Sequence, residues 1–310
     1  SRVVVSSPAT IANLGPGFDV FGLALSHPAD IVEGRISREP GIRVLEITGA
    51  GSEKIPKHPE LNAVTIAAFS AMKLLGREEG LEFVIKKGIK PGSGMGSSGA
   101  SAAAGAVVAN ELLGGGLSEL QLITVAAKAE ERIAGTVHYD NVTPAIVGGF
   151  TIVASTTPFK YIKLDPPPMK VVVALPELEL PTRLGRQLLP EKVSIGDAVA
   201  NVARASAMVA ALISGNLKSF GEYMVDNIAE PARAPLVPGF QSVRRAALDA
   251  GASGAALAGS GPAVFAIVEI GVDARLVAEA MREAFEREGV ACETIITTPG
   301  RGVQVVERGD

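Results

Sequence analysis

The chain has 310 residues, of which 47% are hydrophobic and only 4% aromatic, so a large core is possible but must be built mainly from aliphatic side chains. Its net charge of -4 is spread along the sequence without a basic stripe, which argues against nucleic acid as a partner. The single cysteine, Cys292, excludes an intramolecular disulfide, fits the reducing cytoplasm and is interpreted as a structural residue. Because every apolar stretch of about 18 residues is interrupted by charges or turn formers, we predict no membrane span and no membrane partner.

Strands and helices are mixed in the first half of the chain. A buried strand at the N-terminus leads into a loop that contains glycine and proline, at 8–19. The spacing of apolar residues predicts strands at 2–7, 43–48, 81–85 and 149–155 and helices at 62–75, 100–113 and 118–133. The helix at 100–113 is rich in alanine and other small residues, which predicts very close packing against its neighbours.

The second half begins after an irregular stretch, 156–168, that contains three consecutive prolines and indicates a boundary between two lobes. We divide the chain into lobes at 1–157 and 158–310. The predicted elements there are a strand at 170–175, helices at 197–213, 217–226, 241–250 and 273–288, a hairpin at 255–268 and two final strands. Because strands and helices do not alternate strictly, the fold class is α+β and not a barrel.

The segment PGSGMGSSGAS, residues 91–101, lies between a predicted strand and a predicted helix. Its glycines let the backbone approach a ligand closely, and the N–H groups at the start of a helix attract anions. The hydroxyls of Ser97 and Ser98 stand where the helix begins, where they can cap the helix, contact phosphate or bind Mg²⁺. The segment therefore predicts a cradle for phosphate groups, with a plain helix-entry turn as the alternative.

Two other phosphate-binding motifs fit this loop less well. A Walker loop would place a lysine after the last glycine, and none is present. The dinucleotide pattern GxGxxG occurs at Gly94, Gly96 and Gly99, but it also needs an acidic residue that closes a second strand. The nearest candidate, Glu119, lies in the first turn of a predicted helix, so a nicotinamide oxidoreductase is the weakest alternative.

Polar and acidic residues outside the loop have two interpretations each. In the segment 10–19, Asn13 and Asp19 suit either a polar substrate or ordinary turns. Glu130 either holds Mg²⁺ opposite the loop serines or lies on a solvated helix face, and sequence alone does not decide between them. For its neighbour Glu131, the solvated face is the better interpretation.

Further candidates lie in loops of both halves. His138 can act as a base, contact substrate or belong to the core, and no nucleophile motif accompanies it. Arg186 and Arg233 stand near prolines in loops, and their guanidinium groups suit either a carboxylate ligand or surface ion pairs. Gly259 and Ser260 form either a hairpin turn or a second backbone lining for phosphate.

Several motifs together resemble a known family. PGSGMGSSGAS is similar to the phosphate loop of the GHMP kinases, with Met95 and Gly99 where leucine and alanine are usual, and ALAGSGPAVFAI is similar to their third glycine motif. SSPATIANLGPGFDVFGLAL, HYDNVTPAIVGGF, PTRLGRQLLP and EPARAPLVPGF resemble the homoserine kinases within that superfamily. The resemblance extends from Ser6 to Ile267 and so covers most of the chain.

The resemblance implies a two-lobed GHMP kinase fold, with an N-terminal ATP-binding lobe like ribosomal protein S5 domain 2 and a C-terminal ferredoxin-like lobe. It implies ATP and Mg²⁺ as cofactors, L-homoserine as substrate, O-phospho-L-homoserine as product and a homodimer. The implied ATP-binding residues are Asn62, Pro91, Gly92, Ser93, Gly94, Met95, Gly96, Ser97, Ser98, Gly99, Ala100 and Ser101, and the implied metal ligands are Ser98 and Glu130. The implied substrate-binding residues are Asn13, Asp19, His138, Asn141, Arg186, Arg233, Gly259 and Ser260.

Asn141 and Arg186 are the catalytic residues that the resemblance implies. Mevalonate kinases have an aspartate base at the position of Asn141, and an asparagine cannot act as one; Asp140 is offset by one residue and is not assigned that role. The implied mechanism therefore needs no strong protein base, and the γ-phosphate itself can receive the hydroxyl proton. A GHMP kinase for mevalonate, a sugar or shikimate, and a relative that binds ligands without catalysis, are the alternatives.

Overall fold

The computed structural model describes the backbone of residues 1–310 and every side chain except that of Thr182. The strands are β1 (Arg2–Ala12), β2 (Phe21–Ser37), β3 (Ile42–Gly49), β4 (Gly80–Lys87), β5 (Phe150–Thr156), β6 (Phe159–Leu164), β7 (Lys170–Pro176), β8 (Gly254–Leu257), β9 (Val264–Val268), β10 (Cys292–Thr297) and β11 (Gln304–Gly309). The helices are α1 (Ala63–Leu75), α2 (Ser97–Leu112), α3 (Glu119–Ala134), α4 (Tyr139–Val147), α5 (Thr182–Gln187), α6 (Ile195–Ile213), α7 (Leu217–Glu222), α8 (Glu230–Arg233), α9 (Phe240–Asp249) and α10 (Ala274–Arg287).

The first sheet has the order β11-β1-β2-β4-β3, and the β5–β6 hairpin pairs with β2. Strand β2 lies at its centre, and β1 is antiparallel to both β2 and the edge strand β11. Apolar side chains on the inner face, among them Val5, Val32 and Phe83, are fully buried under helices α1 to α4. Burial of this aliphatic face is the main stabilising contribution to the lobe.

Helix α2 is the central helix of this lobe, and its composition reflects how closely its neighbours approach. A Cβ atom at Gly105 would lie 2.0 Å from the carbonyl oxygen of Val64 in α1. Thirteen of its 16 residues are buried, and nine of these are alanine, glycine or serine. The prediction that only small side chains fit along this helix is confirmed, and it explains how the start of α2 is held rigidly.

The second sheet is antiparallel with the order β10-β7-β9-β8. Helices α9 and α10 cover one face, where Phe240, Val277 and Phe285 are buried. The other face shares a core with the first lobe, because Phe265 of β9 belongs to the same cluster as Phe150 of β5. The second sheet and its helices form the predicted ferredoxin-like lobe, so the α+β fold of two packed lobes is confirmed.

Several boundaries differ from those predicted. The 8–19 segment continues β1 up to Ala12, and β2, α4 and β6 are elements that the prediction lacked. The division at 157 falls inside the β5–β6 hairpin, and the chain changes sheet between Leu164 and Lys170, at the three prolines. Strand β11 returns to pair with β1, so the last residues belong to the first sheet. Pairing partners so distant in sequence leave no local signal for such a return.

Helix α6 is long and apolar enough by composition to cross a membrane, and only 22% of its most apolar window is buried. One face is tied to the loop after α7, where Asn201 Nδ2 donates to Asp226 Oδ1 (2.7 Å) and Arg204 Nη1 to Asn227 Oδ1 (2.7 Å). The opposite face exposes between 61% and 83% of each of four apolar residues, Ile195, Val199, Val202 and Ile213. The described residues of a single chain leave that face of α6 exposed to solvent.

Candidate active site

The glycine-rich segment forms a tight loop between β4 and α2. Gly92, Gly94 and Gly96 have φ values of 71°, 91° and 69°, in the left-handed region that favours glycine. A Cβ atom at Gly96 would lie 2.2 Å from the Thr10 hydroxyl oxygen. Because Gly96 is also the N-cap residue of α2, no side chain caps the first turn, and its N–H groups stay available to an anion.

Backbone and hydroxyl contacts hold this loop from behind. Thr10 N donates to Met95 O (3.0 Å), Ala263 N to Ser93 O (3.1 Å), and Ser97 Oγ to Ile89 O (3.0 Å). Four of the predicted ATP-binding residues do not line the cleft and are buried, namely Ser93, Met95, Gly99 and Ala100. These four support the loop from within the protein, and its exposed atoms face the cleft.

Glu130, near the end of α3, lies over the start of α2. Ser98 Oγ donates to Glu130 Oε2 at 3.0 Å, and the other carboxylate oxygen, Oε1, is buried without a hydrogen-bond partner. Burial raises the pKa of Glu130 to about 7, although Ser98 and the charge of Lys87 oppose the rise. A buried, half-satisfied carboxylate beside a hydroxyl is a favourable position for a hard cation.

Lys87, the last residue of β4, is a buried cation beneath the loop that the sequence interpretation missed. It forms an ion pair with Asp30 and donates to Ser97 O (3.1 Å) and Ser101 Oγ (3.0 Å). Burial lowers the pKa of Lys87, and Asp30 counteracts that effect. The ammonium group thus links β2, β4 and the first turn of α2, and its only sequence signal was a lysine at the end of the strand before the loop.

The segment between β1 and β2 forms a second wall in an unusual conformation. Asn13, Leu14 and Asp19 have positive φ values of 75°, 47° and 59°, which residues other than glycine rarely adopt. Asn13 Oδ1 accepts from Asp19 N (3.0 Å), while Asn13 Nδ2 donates to Gly259 O (3.1 Å). Asn13 therefore joins this segment to the hairpin of the second lobe.

Two arginines converge on the same place from the second lobe. Arg186 of α5 binds both carboxylate oxygens of Asp19, with distances of 2.8 and 3.1 Å. Arg233 of α8 is only 5% exposed, and its Nε donates to Gly185 O at 3.0 Å. Burial lowers the pKa of Arg233, and the neighbouring charge of Arg186 lowers it further.

The start of α4 adds three polar side chains. Asn141 Oδ1 accepts from Thr10 Oγ1 at 3.1 Å, which fixes the asparagine beside the loop. Burial, and then the charge of Arg186, lower the pKa of His138, so its ring stays neutral near pH 7. Asp140 is 4% exposed, and its pKa is raised to about 7 by burial and by the charge of Asp19. Sequence reasoning named Asp140 without assigning it to the site.

The residues described above line one cleft, which has three chemically different parts. The apolar end is lined by Ile55, Pro56 and Leu61 next to Asn62, whose Oδ1 caps α1 by accepting from Val64 N. The loop end is the glycine-rich segment with Glu130. The charged end consists of Asn13, Asp19, His138, Asp140, Asn141, Arg186 and Arg233. The predicted residues that line this cleft are Asn13, Asp19, Asn62, Pro91, Gly92, Gly94, Gly96, Ser97, Ser98, Ser101, Glu130, His138, Asn141, Arg186, Arg233, Gly259 and Ser260.

The donor set narrows the choice of metal. Among the described side chains, no group of three His, Cys, Asp or Glu residues is arranged to hold a metal ion. A metal in this cleft would therefore take few protein ligands, as Mg²⁺ does when phosphate oxygens and water complete its shell. The oxygens of Ser98 and Glu130 fit that requirement.

Comparison with known proteins identifies two family domains and close relatives. Residues 62–149 match the GHMP kinases N terminal domain, and residues 208–287 match the GHMP kinases C terminal domain. The chain is 46% identical to the homoserine kinase of Pyrococcus furiosus over 302 residues, which cover 97% of this chain and 99% of that one. It is 40% identical to the homoserine kinase of Methanocella arvoryzae over 311 residues, 99% of this chain and 98% of that one.

Solved structures agree with these matches. The crystal structure of homoserine kinase from Cytophaga hutchinsonii has a TM-score of 0.93 and 36% identity, and covers 98% of this chain and 97% of that chain. Lactococcus lactis galactokinase complexed with galactose has a TM-score of 0.72 and 18% identity, and covers 98% of this chain and 95% of that chain. The second likeness concerns the fold alone.

Proposed function

Since the chain belongs to the homoserine kinases, a family of the GHMP kinases, we propose that it transfers the γ-phosphoryl group of ATP to the hydroxyl of L-homoserine. The product is O-phospho-L-homoserine, an intermediate of threonine biosynthesis. The enzyme is a phosphotransferase with an alcohol group as acceptor, and we assign its reaction to the cytoplasm.

The observation that carries this proposal is the position of the charged end directly beside the loop end. Arg186 and Arg233 suit a carboxylate, and Asp19 suits an ammonium group, so together they match the zwitterion of an amino acid. A sugar would offer no charge to Arg233, and neither a sugar nor mevalonate carries an ammonium group for Asp19. An amino acid whose side chain reaches from there toward the loop brings its hydroxyl to the transferred phosphoryl group.

We assign ATP to the other two parts of the cleft. Its phosphates suit the N–H groups at the start of α2, and its base suits the apolar end near Asn62. Ser98 and Glu130 would hold Mg²⁺, which supplies charge neutralisation at the phosphates. The orphaned Oε1 of Glu130 and its raised pKa support this assignment, because a cation there would compensate the burial of the carboxylate.

The chemical step needs little from the protein beyond positioning. The substrate hydroxyl oxygen forms a bond to the γ-phosphorus, the bond from that phosphorus to the β–γ bridging oxygen breaks, and the hydroxyl proton passes to a γ-phosphate oxygen. Asn141, held by Thr10, orients the hydroxyl without removing its proton, because an amide is not a base. Arg186 fixes the amino acid and adds positive charge close to the reacting groups.

We further propose a homodimer that forms through the exposed face of α6. Ile195, Val199, Val202, Ser206, Val209 and Ile213 follow one another at intervals of 4, 3, 4, 3 and 4 residues, a pattern that is symmetric about its middle. Such a face can pair with itself in an antiparallel pair of identical helices related by a two-fold axis, and it carries no charge that would oppose the pairing. Sedimentation of Val202→Asp as a monomer, beside a dimeric parent, would support this interface, and an unchanged dimer would contradict it.

The activity is tested by ADP release with Mg·ATP against L-homoserine, L-threonine, mevalonate, galactose and shikimate. We expect turnover on L-homoserine far above that on the others. Preferred turnover of mevalonate or a sugar would keep the ATP assignment and overturn the roles given to Asp19, Arg186 and Arg233. ATP binding without turnover of any acceptor would contradict the proposed activity.

A further inference from the structure

Phe18 is an aromatic residue at the charged end that has no place in the reaction described so far. The chain has only ten phenylalanines, and this one is partly exposed, in contrast to the fully buried Phe83, Phe150 and Phe265. The guanidinium carbons of Arg186 and Arg233 lie 5.6 and 5.3 Å from the centre of its ring. One ring therefore contacts both arginines that suit the substrate carboxylate.

These two arginines pose an electrostatic problem before any substrate binds. Arg186 has Asp19 as an ion-pair partner. For Arg233, the described side chains offer no carboxylate within ion-pair distance, and its Nε donates to a backbone carbonyl, Gly185 O. Burial and then the charge of Arg186 disfavour the charged form of Arg233, and the more distant carboxylates of Asp19, Asp140 and Asp226 offset this only in part. A buried cation of this kind needs partial compensation that still leaves its outer N–H groups free.

The face of an aromatic ring supplies compensation of that kind. Its quadrupole attracts a cation without using any hydrogen-bond donor, so the Nη groups stay available to a carboxylate. A carboxylate from the protein would compensate Arg233 more strongly, but it would occupy the position of the ligand. Phe18 thus lowers the free energy of the arginine pair without closing the site.

The backbone around Phe18 is held tightly enough to keep the ring in one place. Leu14 and Asp19 adopt left-handed conformations in the same segment, and Leu14 is fully buried. A Cβ atom at Gly17 would lie 2.1 Å from the Phe21 ring, so the chain folds back on itself directly before Phe18. Such unfavourable conformations persist only where the surrounding structure imposes them.

We infer that Phe18 is a positioning residue, which holds Arg186 and Arg233 at the spacing that receives a carboxylate. This inference rests on the proposed function, since it concerns the carboxylate of the amino-acid substrate. Phe18 acts through the arginines and so affects recognition of that carboxylate more than the chemical step.

The test compares three proteins, the parent, Phe18→Leu and Phe18→Tyr. Leucine keeps apolar bulk but removes the ring face, and tyrosine keeps the ring face. We expect Phe18→Leu to raise the KM for L-homoserine about 3- to 30-fold, with kcat and the KM for ATP within about 2-fold of the parent. Phe18→Tyr should retain a KM for L-homoserine close to that of the parent. Melting temperatures of the three proteins establish that each is folded.

A second measurement uses L-2-amino-1,4-butanediol, which lacks the carboxylate, as a competitor of L-homoserine. Its inhibition constant should be the same in the parent and in Phe18→Leu, because the ring acts only through carboxylate binding. Equal weakening of both compounds, an unchanged KM for L-homoserine in Phe18→Leu, or a Phe18→Tyr that behaves like Phe18→Leu would overturn the inference. If the parent does not phosphorylate L-homoserine, the proposed function fails instead, and that result is visible before any variant is made.

Discussion

The loop end and the charged end of the cleft are constructed differently. The loop end is one continuous segment, residues 91–101, and it offers a ligand mainly backbone N–H groups at the start of α2. The charged end is assembled from the segment between β1 and β2 and from α4, α5 and α8. The contact of Asn13 with Gly259 of the β8–β9 hairpin joins residues 246 positions apart. Backbone recognition accepts any phosphate chain, whereas placed charges select one acceptor. The comparison predicts that changes at the loop end affect nucleotide binding and turnover, whereas changes at the charged end affect binding of the acceptor.

The largest effect is expected from Glu130→Gln, which removes a proposed metal ligand at the loop end. The change removes the anionic oxygen proposed to hold Mg²⁺ but leaves the backbone cradle, so kcat should fall about 100-fold or more while nucleotide binding is partly kept. Steady-state kinetics and titration with ATP measure the two effects separately. Glu131→Gln is the matched control, because that neighbour is exposed. Equal activity of the two variants would reject the metal assignment.

Arg233→Leu breaks the charged end. It removes a charged hydrogen-bond donor to the substrate carboxylate, so the KM for L-homoserine should rise about 10- to 100-fold. The KM for ATP should stay close to that of the parent, since the loop end is untouched. Arg245→Leu removes an exposed arginine of α9 and should change neither constant. If only the KM for ATP rises in Arg233→Leu, the arginine belongs to the nucleotide site.

Gly96→Ala tests whether the loop end depends on the left-handed backbone conformation and close packing at residue 96. Alanine in a left-handed conformation is destabilised by about 1–2 kcal/mol wherever it stands, and at residue 96 its Cβ would also meet the Thr10 hydroxyl. We expect weaker ATP binding and a lower melting temperature. Gly114→Ala is the control, because Gly114 also has a positive φ, 98°, but open space around it. Similar losses in the two variants would mean that the clash at the loop is unimportant.

The smallest effect concerns Glu230, which supports the charged end by accepting from Arg244 and from Leu257 N. Burial raises the pKa of Glu230 to about 7, against an ordinary value of 4.5. Its contribution to stability is therefore fully present below about pH 4.5 and is lost as the pH rises through 7. Unfolding experiments between pH 5 and 8 should show a smaller decline for Glu230→Gln than for the parent, by about 1–3 kcal/mol. An equal decline in the free energy of unfolding of the two proteins over this pH range would contradict the expectation.

The loop end is contiguous in sequence and the charged end is not, and this difference determined which site residues could be predicted from the sequence. The phosphate loop was predictable from residues alone, because its glycines, serines and following helix are contiguous. The alanine-rich α2 was predictable for the same reason. At the charged end, Asn13, Asp19, Arg186 and Arg233 each had two interpretations, and only the family resemblance brought them together.

The residues that were missed at the site share one property. Lys87, Asp140 and Phe18 acquire their roles from partners in other elements, as Lys87 does from Asp30 in β2. No local sequence pattern around a single lysine, aspartate or phenylalanine predicts such a partner. The return of β11 to β1 escaped prediction for the same reason, because strand pairing across the whole chain is decided by tertiary packing.

We propose that one cleft binds ATP through a backbone loop and an amino acid through charges that both lobes contribute. A crystal structure with a non-hydrolysable ATP analogue, Mg²⁺ and L-homoserine tests it most directly. We expect phosphates at the start of α2, the metal between Ser98 and Glu130, and the homoserine carboxylate at Arg186 and Arg233. Homoserine bound outside the charged end, or a nucleotide whose phosphates avoid the 91–101 loop, would contradict it.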